Sequence, residues 1–181
     1  MGRVFECIDD KLADWIADQH LFFVATAPLA GDGLVNCSPK GMDSFRVLGP
    51  KEVAYLDLTG SGIETIVFPG KWAHRRHVLC LPGCASYRPP PWHRQRYYPD
   101  HTDWETLASL FPAYSAGTRA IIRIAVSRVS RSCGFAVPRY EYLEDRDTLI
   151  RWAESKGDEA LVEYRDQKNR ESLDGLPGMP L

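Results

Sequence analysis

The chain has 181 residues, 25% charged, 44% apolar and 11% aromatic, a composition that builds one core and excludes both whole-chain disorder and two full domains. Its 22 basic and 24 acidic residues leave a formal net charge of −2, which offers no field to gather a polyanion, so nucleic acid is not an expected partner. No apolar run nears the roughly 20 residues of a membrane span, and MGRVFECIDD lacks the layout of a signal peptide, so a cytoplasmic, membrane-free chain with its five cysteines reduced is expected.

Asp9 and Asp10 precede Leu12, Trp15, Ile16 and Gln19, an acidic start and an i, i+3, i+4 apolar stripe that predict a short helix lying over the core. The runs FFVATAPL and LVNCSP follow, separated by Ala30-Gly31-Asp32-Gly33, then FRVL and VAYLDL, split by Gly49-Pro50-Lys51. Four short strands with tight turns within residues 22–58 predict an antiparallel meander that closes as a barrel or packs as a sandwich. Thr102-Asp103-Trp104-Glu105 has the spacing of a capping box and predicts a helix to about Phe111, stopped by Pro112. RAIIRIAVSRVSRS, residues 119–132, predicts one long strand with Ala120, Ile122, Ile124 and Val126 on the buried face and Arg123 and Ser127 on a wet one. From Asp145 onward, Leu149, Trp152, Ala153, Leu161, Val162 and Tyr164 carry helical spacing interrupted at Gly157, and residues 166–181 read as an irregular tail. Trp15, Trp104 and Trp152 fit apolar stripes, and Cys133, with no acid–base partner nearby in sequence, reads as a packed structural cysteine.

Residues 67–98 stand apart, with six Lys/Arg, five prolines, three histidines and no acidic residue. The segment carries +6 and the rest of the chain −8. His74, His77, Cys80 and Cys84 offer zinc ligands at a spacing that matches no standard zinc module, and the basic, aromatic stretch to Tyr97 could stack on single-stranded nucleic acid. Both remain alternatives for a module built on 74–97.

The order VNCSPKGMDSFRVL, VAYLDLTGSGIET, RVSRSCGFAVP and the YR-KN-SLDGLPG ending resembles the pyridoxamine 5′-phosphate oxidase-like FMN-binding split-barrel family, over residues 5–66 and 99–178. The resemblance implies a mainly β, antiparallel α+β fold over 1–181, built on a six-stranded split barrel with flanking helices. It also implies a homodimer with FMN at the subunit interface. On these motifs Asn36, Ser38, Lys40, Arg46, Thr59, Gly60, Ser61 and Gly62 become the expected flavin-binding residues. Lys40 and Arg46 would supply cations, and Thr59, Ser61 and the small glycines would supply donors and space around the phosphate. TGSGIET also offers a helix start at Glu64 whose amides would face that phosphate, while the missing third glycine and the absent Gly-Lys-Ser/Thr exclude Rossmann and P-loop readings.

The implied reaction is two-electron transfer between FMN and a small molecule. No second phosphate site rich in arginine, histidine and serine accompanies the motifs, so the vitamin B6 enzyme itself is not expected; a non-catalytic flavin-binding module is the alternative. Against the family, 67–98 reads as frame-shifted. Reading one base later from Lys71 permits NGHIVVMFCAFQGAPRIVRLHGTG, and Trp72-Ala73 and Trp92-His93 then yield glycine where the family pattern has it. In the written frame, barrel strands are not expected there, because prolines cannot donate ladder bonds.

Overall fold

The computed structural model describes residues 2–28, 34–60, 62–66, 74–80, 85–87, 94–113, 117–131 and 133–179, with the backbone alone for Pro28, 74–80, 85–87 and Arg94. Ten strands and three helices fall within them: β1 (Arg3–Phe5), α1 (Asp10–Ala17), β2 (Phe22–Pro28), β3 (Asn36–Lys40), β4 (Phe45–Gly49), β5 (Glu52–Leu58), β6 (His74–Cys80), β7 (Ala85–Tyr87), β8 (Arg94–Tyr97), α2 (Trp104–Ala108), β9 (Thr118–Ala125), β10 (Val129–Arg131) and α3 (Thr148–Lys168). The strands form two sheets, ordered β1-β10-β7-β6-β2-β3 and β4-β5-β9-β8. Every pairing in them is antiparallel, which is the mainly β fold with flanking helices that the sequence implied.

The chain changes sheet four times, between β3 and β4, β5 and β6, β7 and β8, and β9 and β10. The meander expected over 22–58 is two hairpins, because β3 and β4 belong to different sheets. Between them Met42 and Asp43 adopt successive left-handed conformations (φ 64° and 49°), and the Ser44 hydroxyl donates to the Gly41 carbonyl at 2.5 Å. The run 119–132 is likewise two strands, β9 and β10, in different sheets, with the Val126 amide donating to the Lys51 carbonyl at the corner. Its expected wet face is covered at Ile121, while Arg123 is half-buried and Ser127 exposed as expected. Ile121 joins Ala54, Leu56, Tyr97, Leu107 and Phe111 in a second cluster under α2, while Ala120, Ile122 and Ile124 face the main core with Val24, Val53 and Tyr55. Burial on both faces explains why VAYL reads as a continuous apolar run without alternation.

Asp9 caps α1, its Oδ1 accepting from the Leu12 amide at 2.8 Å, and Leu12 and Ile16 cover the barrel as expected. The capping box at Thr102 does not form. A turn from His101 already occupies that position, with the Trp104 amide donating to the His101 carbonyl, so Asp103 becomes the N-cap and contributes no side-chain cap bond. Residues 63–66 form one turn in place of the helix start expected at Glu64, whose carboxylate accepts from the Leu173 amide at 2.9 Å.

Three further expectations need correction. The helix extends to Lys168, so the irregular tail begins at Asn169, and Val162 is exposed on it. Cys133 is exposed, because the chain beyond β10 runs from 133 to 147 without helix or strand. The segment 67–98 contributes strands: β6 pairs along the whole of β2, β7 pairs β6 and β10, and β8 pairs β9. Its prolines, at 69, 82 and 89–91, lie outside the described residues. The side chains of His74, His77 and Cys80, and Cys84 altogether, lie outside the described residues.

Candidate functional site

β3 is an edge strand whose alternation puts Asn36, Ser38 and Lys40 on the half-buried face, opposite Thr26, Val24 and Phe22 of β2. The Asn36 amide nitrogen reaches the Thr26 hydroxyl at 3.5 Å. Ser38, Lys40 and Gly60 line one cavity of about 260 Å³, with Pro39, Met42, Leu56, Leu58 and Leu149 as apolar walls. Arg46 faces a second cavity, of about 420 Å³, on the far side of the turn at Gly41–Ser44. It is held there by a two-pronged pair with Asp43 (2.7 and 2.9 Å) and by donation to the Leu110 carbonyl at 2.6 Å. The structure therefore separates the two cations that the sequence put together.

Behind β5 lies a buried charge network. Asp57, 1% exposed, accepts from Arg119 Nε at 2.7 Å and from Lys40 Nζ at 3.3 Å. Arg119 is equally buried and also donates to Asn169 Oδ1 at 2.9 Å. A bulge makes this possible: Asp57 is opposite Ala120 and Leu58 opposite Thr118, so Arg119 is the extra residue and its side chain is re-aimed. Burial would raise the Asp57 carboxyl, but the charges and hydrogen bonds of Arg119 and Lys40 prevail and hold it below its ordinary value.

Thr59, fully buried, accepts from Arg165 Nε at 2.8 Å. Burial, then the neighbouring Arg119 charge, pulls the Arg165 pKa down, and Asp158 acts against them. Lys40 and Arg119 thus share one buried carboxylate, Asp57, at the end of β5, and Arg165 stands near Arg119 at the next residue but one, Thr59.

Helix α3 frames this end from both of its arms. Gly157, at φ 74° and ψ 166°, breaks it in two, in a region of backbone space essentially reserved for glycine. The first arm brings Leu149 so close to Gly60 that a Cβ there would stand 2.5 Å from Leu149 Cδ1, and the second brings Arg165 to Thr59. Gly60 and Gly62 are exposed, while Ser61 lies outside the described residues.

Comparison with known proteins decides the lineage. The "Pyridoxamine 5′-phosphate oxidase family protein ustO" of Aspergillus flavus is 34% identical over 211 residues, covering 99% of this chain and 78% of that protein. The chain belongs to the pyridoxamine 5′-phosphate oxidase family. Two crystal structures of HupZ from Group A Streptococcus share the family chain's fold. A histidine-to-alanine variant matches with a TM-score of 0.53 at 20% identity, over 69% of this chain and 99% of that one. The second matches with a TM-score of 0.52 at 19% identity, over 67% and 91%. No family model matches the chain.

Within this oxidase-family chain, sequence reasoning passed over Asp57, Arg119 and Arg165. Two had a visible signal. An aspartate inside a continuous apolar strand must find a buried counter-charge, and an arginine leads the equally apolar RAIIRIA. Arg165 belongs to the YR-KN ending that supported the resemblance but received no role, because nothing local ties it to Thr59, 106 residues away.

Proposed function

We propose that the protein is an FMN-binding oxidoreductase that passes two electrons between the flavin and a small molecule, works as a homodimer, and is not the vitamin B6 enzyme itself. The observation that carries this reading is the charge at the end of β5. Lys40 and Arg119 share Asp57 and leave one cation over, and Arg165 adds a second at Thr59, against which Asp158 acts, a local positive balance that suits a phosphate monoester of about −1.5 to −2 inside a chain of net charge −2. Thr59, Gly60 and the Ser61–Gly62 backbone complete the phosphate-binding set. Ser38 and Asn36 lie along the adjoining edge strand, while Arg46, held by Asp43, borders the neighbouring cavity. These residues suit the group: cations and a hydroxyl for the phosphate, and Pro39, Met42, Leu56, Leu58 and Leu149 for an apolar ring.

When bound, FMN supplies the redox chemistry. The protein orients it, excludes water with the apolar wall, and fixes the charge around it. About 260 Å³ falls below the ~300–1,000 Å³ of a typical ligand pocket, so part of the flavin overhangs and the second subunit supplies the missing wall. Phe135, Tyr140 and Leu143, exposed to 99%, 86% and 83% on the segment after β10, give that subunit an apolar surface to cover.

One observation favours a purely flavin-binding role as a second reading. Among the described residues lining the cavity, Lys40 is the single ionisable side chain, and it is paired with Asp57, so no free acid–base group stands among them. The absorption spectrum of the purified protein tests flavin binding, and bleaching by NAD(P)H with reoxidation by a dye tests turnover. Retained flavin that bleaches and recovers supports the oxidoreductase; retained flavin that does neither supports the binding module; no retained flavin after reconstitution contradicts both.

A further inference from the structure

The larger cavity, about 420 Å³ between α1 and the strands β2 and β4, falls within the ~300–1,000 Å³ of small-molecule sites. Its bed is apolar: Ile16, Phe22, Phe45 and Val47 line it, and the two phenyl rings meet at 4.9 Å and 59°. At its rim His20 stacks on Tyr142, with ring centroids 3.7 Å apart and planes 8° from parallel. Gly41 and Ser44 border this cavity and the smaller one alike.

The charges of the lining decide what the cavity takes. Among the described residues that line it, Arg46 is the one side chain with a fixed positive charge, and it is spent: Nε donates to the Leu110 carbonyl, and the two Nη atoms donate to the Asp43 carboxylate and the Phe45 carbonyl. An entering anion would therefore meet two carboxylates and no free arginine. Asp43 is answered by Arg46, whereas the Asp14 carboxylate has neither an ion pair nor a hydrogen bond among the described residues. Asp145 adds another acid near the rim, its Oδ1 standing 3.7 Å from where a Cβ at Gly41 would be. The faces of the aromatic rings carry the same sign, since their quadrupoles attract cations.

We infer that this cavity is a binding site for a small organic ammonium ion with an aromatic or aliphatic body. The body lies against Phe22, Phe45 and Val47, and Asp14 answers the ammonium group. The site goes beyond the flavin reading and does not depend on it. Because Asp14 is exposed, its pairing discriminates among ligands more than it tightens binding, and the apolar bed supplies most of the affinity.

Amide NMR titrations of the isotopically labelled full chain with phenethylammonium, phenethyl alcohol and hydrocinnamate test this, since one measurement reports both affinity and place. The expected result is saturable shifts at residues 13–20 and 41–47, with the ammonium ion held about three- to tenfold more tightly than the alcohol and the carboxylate held most weakly. Asp14→Asn brings ammonium and alcohol to within about twofold of each other, and Asp14→Glu keeps the preference. Equal binding of the ammonium and the alcohol by the wild type overturns the inference, as do an unchanged preference in Asp14→Asn, shifts confined to other residues, or no saturable shift. Running the titrations on flavin-free and FMN-reconstituted protein separates the two readings. A chain that retains no flavin but takes phenethylammonium here overturns the flavin reading alone, and one that retains flavin without this binding overturns the present inference alone.

Discussion

Asp57 is the residue on which the buried network turns. Asp57→Asn keeps the shape but leaves Arg119 buried without its carboxylate, a change that costs about 3–5 kcal/mol and is read by urea unfolding. The same carboxyl sets an acid limit. Its folded pKa lies below the ordinary 3.8, so its stabilisation is full above that value and is lost as pH falls through the depressed one. Wild-type stability should therefore drop as pH falls below about 3.8, and the Asn variant, weaker throughout, should show a shallower acid limb; parallel limbs would count against the assignment. Lys40 and Arg46 were legible in the sequence as cations, but their separation was not, since it depends on a left-handed turn at Met42 and Asp43, a conformation that aspartate tolerates but methionine does not signal. Lys40→Ala should weaken FMN more than riboflavin, whereas Arg46→Ala, which releases a half-exposed pair with Asp43, should leave their ratio unchanged. A ratio that moves equally in both would restore the joint phosphate role.

The elements most legible in the sequence are those whose signals are local. Asp9 and the Leu12–Ile16 stripe yielded α1, and Gly157 the break in α3, because a cap, a helical period and a glycine act within one turn. What could not be read was which sheet each strand enters: FRVL looks the same whether or not it pairs with NCSPK, and the corner at 126–128 interrupts a run of uniform β propensity. Gly60 illustrates how tertiary packing constrains a motif that looks like a simple turn. Gly60→Ala would drive its Cβ into Leu149 at φ 147° and should cost about 1–3 kcal/mol. Adding Leu149→Ala removes the clash but not the backbone strain, so the double variant should be more stable than the sum of the single losses; strict additivity would mean that the helix arm does not pack there. The strands at 74–80, 85–87 and 94–97 hold no proline, which is why the segment's proline content did not exclude ladders there. The frame-shift expectation is decided in the coding DNA, and a chain carrying the alternative frame over 71–99 should melt higher and bind FMN more tightly than this one; equal melting would leave it without support.

At the scale of the molecule, two antiparallel sheets enclose one core, and a second cluster backs the outer face of β5. This burial on both sides lets a charged network sit in a strand whose residues 53–56 are Val, Ala, Tyr and Leu. The motif order carried the fold class and the family, whereas the charge balance at the end of β5 needed residues 57, 119 and 165 in space together. The same view leaves a half-walled cavity and an apolar segment after β10, which the proposed homodimer would complete with a second copy. Leu143→Ser with Phe135→Ser should raise the monomer fraction and release flavin, as seen by sedimentation. The most direct measurement is light scattering on the FMN-reconstituted protein with in-line detection of flavin absorbance. A single peak near twice 20.4 kDa that carries the flavin is the predicted result; a protein peak near 20.4 kDa, with the flavin eluting separately as a small molecule, would contradict it.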